Sequence, residues 1–380
     1  MSNISDIEEA RAARRRAKNK KKLTFYLAVL GLAILFVMFR RYLTADHISM
    51  VIGDTWSDFS TGNFPIVLSE GVPKSVNCSG KGFSVVTSTA FVAYNKNGAM
   101  VQNTPHNMQN PDTASQGRYK LVFDRGNHSF SLFSQTKKIY TLSSGQKILD
   151  GDVNAKGQAA LATTSDRYLS QVTVYDTDGS DIFTWFSSTD YVISIDFEGN
   201  FLAVAAARAQ DNQVVGQLYL LNIKKTDEIF CISYVNEAPL QVQQSGNFIA
   251  LYTDKGYYSY NRKGELMGSH SFDNNTLQNT DTEAGSRMAF TLGSGTSLNR
   301  VIVVNRKGEV LCEIDPQAVV LGVHCCGNKT AVLLSDRLVI FDKEGTQTDE
   351  IQYAKTCLRL YANGKHLYIQ ASDSIIKETI

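Results

Sequence analysis

The residues able to do chemistry are few, and their spacing supports little of it. Asp150 and Asp152 are two positions apart and could act as a paired general acid and base. They also fall at a connection between strand-like runs, where aspartate is an ordinary turn residue, and that reading is preferred. The six histidines (His47, His106, His128, His270, His324, His366) form no HExxH or HxH group and read as surface or structural residues. Asp176-Thr177-Asp178-Gly179 looks like the start of a calcium loop, but the glutamate that should follow is missing, so it reads as a turn. There is no GxSxG nucleophile elbow and no P-loop. The six cysteines (Cys78, Cys231, Cys312, Cys325, Cys326, Cys357) lie mostly in apolar runs. They read first as buried thiols, with disulfides in an exported domain as the alternative. No catalytic residue, cofactor site or metal ligand is assigned.

The elements that would position these residues are strands. Five segments share one pattern, an apolar run followed by Asn or Asp, two polar residues and glycine: VAYNKNG, VTVYDTDG, YSYNRKG, VIVVNRKG and LVIFDKEG, ending at Gly98, Gly179, Gly264, Gly308 and Gly345. The pattern predicts a strand entering a tight turn, with Asn/Asp closing it and glycine supplying positive φ. A second glycine marker recurs at Gly80, Gly117, Gly157, Gly199, Gly246, Gly285, Gly327 and Gly364, with spacings of 37 to 47 residues. A period near 40 without helices predicts the four-stranded blades of an all-β propeller over residues 64–380, eight by this count and seven as the alternative. The last copy supplies only three strands, and FPIVL (Phe64–Leu68) is available to complete it, which would close the ring. The longest insertion, Ala207–Gly216, lengthens one hairpin; Gln210, Asp211, Asn212 and Gln213 at its centre read as a binding loop or a tolerated surface loop.

These repeats resemble the WD40-like and quinoprotein-like propeller superfamily. More narrowly, the chain resembles an uncharacterised family of single-pass, propeller-bearing envelope proteins of Gram-positive bacteria. No Trp-Asp dipeptide ends a blade, and the two tryptophans, Trp56 and Trp185, cannot make the docking motif of quinoprotein blades, which argues against a quinone cofactor. The resemblance implies architecture and little about activity.

Leu23 to Phe39 is a 17-residue run without a charge, bounded by Lys20-Lys21-Lys22 and Arg40-Arg41. It would extend roughly 25 Å as a helix, the short end of a membrane span. Eight basic residues precede it and two follow, so the N-terminus is expected in the cytoplasm. This divides the chain into a basic tail (1–22), a span (23–39), a juxtamembrane stalk (40–63) and an extracytoplasmic propeller (64–380). A cleaved signal peptide fits less well, because the basic region is long and no small-residue cleavage site follows. Residues 42–380 hold 28 basic and 34 acidic side chains, a balance that argues against nucleic acid as the ligand. The expected role is an anchored scaffold in the cell membrane, binding another envelope protein or a cell-wall component. The alternatives are a glycan-active enzyme with carboxylates in the central pocket, and a ligand sensor.

Overall fold

A computed structural model describes residues 20, 22–31, 45–68, 73–79, 82–281, 285–293 and 299–380. The chain divides into two compact units, Met1–Thr55 and Trp56–Ile380. In the first, residues 22–31 are helical, with the side chains of Leu23, Phe25, Tyr26 and Leu27 exposed. A further helix covers Ala45–Ser57. Among the described residues no helix is long and apolar enough to cross a membrane. Residues 1–19 and 21 of the expected tail, 32–39 of the expected span and 40–44 of the expected stalk lie outside them.

The second unit is an eight-bladed propeller, each blade a four-stranded antiparallel sheet. The count of eight therefore holds over seven. Its inner strands are Ser75–Ser79, Pro111–Gln116, Ile148–Val153, Tyr191–Glu198, Pro239–Ser245, Thr276–Thr280, Gly322–Cys326 and Cys357–Asn363. Middle strands are buried on both faces by neighbouring blades, so Ala90–Asn95 and Phe248–Thr253 are buried at every position. Outer strands such as Lys138–Ser143 alternate toward solvent. This difference in burial is why the apolar runs of the sequence mark middle strands so clearly.

The five Asn/Asp-to-glycine segments connect third and fourth strands, and their glycines all have φ between 73° and 85°. Asn95, Asn261, Asn305 and Asp342 close the turns alike: each Oδ1 accepts the N–H groups two and four residues on, at 2.8–3.1 Å. Asp176 Oδ1 accepts from the adjacent Thr177 N–H. At Gly308 a side chain is also excluded by space, because a Cβ would lie 2.6 Å from the Ser269 carbonyl oxygen. Of the second set of glycines, Gly80 lies outside the described residues, and Gly285 alone among the rest lacks a positive φ.

Ring closure follows the expected route. Ile66 and Val67 pair with Ile375 and Ser374, so the N-terminal strand is the outer strand of the eighth blade. The segment before it is tied to the first blade through its main chain. Asn95 Nδ2 donates to the carbonyls of Ser57 and Ser60 at 2.7 and 2.8 Å. Trp56 and Phe59 expose their rings instead of packing them.

Candidate functional site

Inner strands from seven blades line a central cavity of about 850 Å³. Its lining holds five carboxylates (Asp150, Asp152, Asp196, Glu198, Asp281) and, among the described residues, one cationic side chain, Arg125. Asp150 and Asp152 are therefore inner-strand residues rather than turn residues, which corrects the sequence reading. An inner strand borders open space, so it tolerates polar side chains that a middle strand would exclude.

Most of these groups also lock one blade to the next. Asp150 Oδ2 accepts the Ile195 N–H at 2.9 Å and Asp152 Oδ2 accepts the Phe197 N–H at 2.7 Å. Arg125 donates to Asp150 Oδ1 and Asp112 Oδ2, both at 2.9 Å, and to the Leu149 carbonyl. Glu198 accepts from Arg262 at 2.8 Å and from the Gly246 N–H at 3.0 Å. Asp281 Oδ1 lies 2.7 Å from His324 Nδ1, and the opposite ring nitrogen lies 2.8 Å from the Gly364 carbonyl. With oxygen atoms facing both ring nitrogens, Asp281–His324 is a buried hydrogen-bonded pair that links three successive blades. His324 thus has the structural role expected of it.

Asp152 and Asp196 are left without a counter-charge. Gln244 Nε2 reaches Asp196 Oδ1 at 3.3 Å, and no cation pairs with either residue among the described residues. Burial, and then the Asp196 and Asp150 charges, push the Asp152 carboxyl above its ordinary range. Burial pushes Asp196 up to about 7, against hydrogen bonds from Gln244 and with the Glu198 and Asp150 charges adding to the rise. Both remain partly accessible from the cavity, so water relieves part of that cost.

A pH dependence follows. A carboxyl with a raised folded-state value favours the folded chain most when protonated, below its unfolded value near 4, and this contribution is lost as pH rises toward 7. Asp196→Asn is expected to stabilise the protein by about 1–2 kcal/mol at pH 8 and by nothing measurable at pH 4. Urea unfolding at the two pH values checks it; a variant less stable than the parent at pH 8 would overturn it.

The insertion of the fourth blade is no open loop. Phe201–Gln210 and Gln213–Asn222 form a long hairpin paired up to Gln210↔Gln213, with Asp211 and Asn212 as a two-residue turn at φ 51° and 60°. These angles suit Asp-Asn well. Buried Asp190, which the sequence reading missed, anchors the hairpin. It accepts from Tyr219 Oη at 2.8 Å, Thr189 Oγ1 at 2.8 Å, Ser187 Oγ at 3.0 Å and Arg208 at 3.1 Å. Burial alone would raise the Asp190 carboxyl, but these hydrogen bonds outweigh it and hold it below the ordinary value.

Exposed apolar side chains gather around this hairpin. Tyr168 and Phe186 of the third blade meet in a tilted ring contact at 4.8 Å, and Tyr191, Ile193, Val214 and Val235 of the fourth and Leu240 of the fifth accompany them. All seven are between 37% and 67% exposed. They sit at the end of the ring where inner strands begin, and Ile193 and Leu240 also line the cavity. The thiols offer no reactive centre of comparable definition. Cys312 and Cys357 are buried as expected of core thiols, with burial raising both, whereas Cys231 is exposed.

Solved structures with the same architecture are distant in sequence. The computationally designed Ika8 protein superposes with a TM-score of 0.63 at 12% identity, over 84% of this chain and 100% of that one. Sqt1 of Saccharomyces cerevisiae gives 0.60 at 10% identity, over 83% and 100%. BamB of Moraxella catarrhalis gives 0.58 at 12% identity, over 84% and 96%. At such identities the likeness shows the fold alone. Comparison with curated proteins finds no match. Residues 72–379, which include every strand of the propeller except the closing one, match the family described as "Family of unknown function (DUF5711)", and the chain belongs to that family.

Proposed function

We propose that this protein is a membrane-anchored scaffold, its propeller held outside the cytoplasm and docking another envelope protein or a cell-wall component. The observation that carries docking is the apolar sector on blades three to five, where seven exposed side chains surround a hairpin stiffened by Asp190. Large apolar side chains exposed on neighbouring blades of a rigid ring favour burial against a partner. The hairpin tip, Gln210 to Gln213, would supply polar contacts at its edge. Anchoring rests on the uncharged run Leu23–Phe39 and its flanking basic residues. Tethering raises the effective concentration near membrane partners, so each contact can be weak.

Crosslinking pull-down from membranes tests docking. The full chain should capture specific envelope proteins, and Ile193→Asp/Leu240→Asp should lose most of that capture while keeping its unfolding midpoint. Equal capture by the double variant would count against this face. For anchoring, alkaline washing should leave the full chain in the membrane pellet and release one lacking residues 1–44.

A glycan-active enzyme is the second reading, favoured by Asp196, whose raised value suits a general acid. Against it, Asp150 and Asp152 are already committed to main-chain hydrogen bonds. Release of reducing sugar from cell-wall glycan, abolished in Asp196→Asn, would reverse this preference.

A further inference from the structure

The central cavity holds charge that the fold itself does not neutralise. Arg125 answers Asp150, Arg262 answers Glu198 and His324 answers Asp281, which leaves Asp152 and Asp196 as two uncompensated carboxylates facing common space. Main-chain N–H groups and Gln244 hold the two carboxylates in place, but neither meets a cation among the described residues.

An independent set of atoms points the same way. Gln243 is 8% and Ser79 7% exposed; both line the cavity, and Gln243 Oε1 and Ser79 Oγ have no hydrogen-bond partner. Gln116 Oε1 and Gln244 Oε1, also in the lining, are equally unpartnered. Three of these four oxygens are amide carbonyls, which only accept. Acceptors without donors, in a lining that also carries unpaired negative charge, call for a ligand that is cationic and rich in N–H groups.

We infer that the central cavity binds a primary ammonium group, held between Asp152 and Asp196 with glutamine carbonyl oxygens as neutral acceptors. An ammonium is a compact charge with three rotatable donors. It therefore suits acceptors arriving from separate blades better than the planar guanidinium fork, which wants one carboxylate presenting both oxygens. A transition metal fits less well, since no three His, Cys, Asp or Glu side chains converge at ligand spacing among the described residues. A cavity of about 850 Å³ has room for a linear polyamine or for a lysine side chain carried by a partner. This inference does not depend on the apolar docking sector.

Calorimetry on the full chain in detergent tests it, with spermidine, a lysine-containing peptide and Mg²⁺ as probes. At pH 8 at least one amine is expected to bind saturably, and at least about tenfold more weakly to Asp152→Asn/Asp196→Asn. Spermidine binding better than the peptide would identify a free polyamine, and the reverse a partner's lysine. Lowering the pH to 5 should weaken binding to the unaltered protein similarly, through the two carboxyls. Their charged neighbours are Asp150 with Arg125, and Glu198 with Arg262. Since the pH comparison needs no variant, a folding defect cannot imitate it. No saturable amine binding, unchanged affinity in the double variant, or displacement of spermidine by Mg²⁺ at equal charge would each overturn the inference.

Discussion

Asp281→Ala is expected to lower stability by about 3–5 kcal/mol, the range for removing one partner of a buried, hydrogen-bonded pair. Two groups lose their acceptor at once: the His324 ring at 2.7 Å, and the Cys325 N–H, which donates to Asp281 Oδ2 at 2.8 Å. Asp281 and His324 are both 1% exposed, so water cannot replace the lost bonds without disrupting packing. The damage falls on three successive blades, because the pair is extended by the bond from His324 to the Gly364 carbonyl. Urea denaturation of the full chain at neutral pH measures the loss. Adding His324→Gln to the alanine variant should cost little more, since the two residues act as one unit. A loss under about 1 kcal/mol, or simple additivity, would show that the pair is not the latch described.

Phe83→Ala should cost about 3–5 kcal/mol as well, by leaving a cavity at the seam where the ring closes. Phe83 is fully buried on the first blade. Its ring stacks on Tyr94 at 4.9 Å and meets Tyr368 of the eighth blade at 4.9 Å and Phe64, beside the closing strand, at 6.2 Å. The closing strand pairs at two positions, Ile66 and Val67, with one further main-chain bond from Leu68 to Asp373, so side-chain packing must carry much of the closure. The variant should therefore lose stability and also become sensitive to proteolysis near residues 64–75. Phe186→Ala, on an exposed ring, is the matched control and should change stability by less than about 0.5 kcal/mol. A Phe83→Ala protein as stable and as protease-resistant as its parent would mean that closure does not depend on this aromatic cluster.

Both effects arise from contacts at a sequence distance that local patterns do not report. Many of the latches between blades join residues roughly one repeat apart: Asn77 to Thr113, Asp150 to Ile195, Asp281 to His324. The repeat length is visible in the glycine spacing, but that spacing varies by several residues, so it does not say which polar residues of successive inner strands meet. Read locally, Asp150-Gly151-Asp152 has the composition of a turn.

What the sequence by itself determined is the set of features enforced within a few residues. Asn or Asp followed by glycine at positive φ sets the turns, and doubly buried middle strands demand continuous apolar runs. The resulting period yields eight blades and leaves one strand missing, for Phe64–Leu68 to supply. Only the tertiary structure decided which polar residues share the central cavity, which carboxylates find a cation, and that Ala207–Gly216 extends as a paired hairpin. The physical reason is one of range. Turn geometry and strand burial act on neighbours along the chain, whereas charge compensation depends on distances in space, and these exist only once the ring has closed.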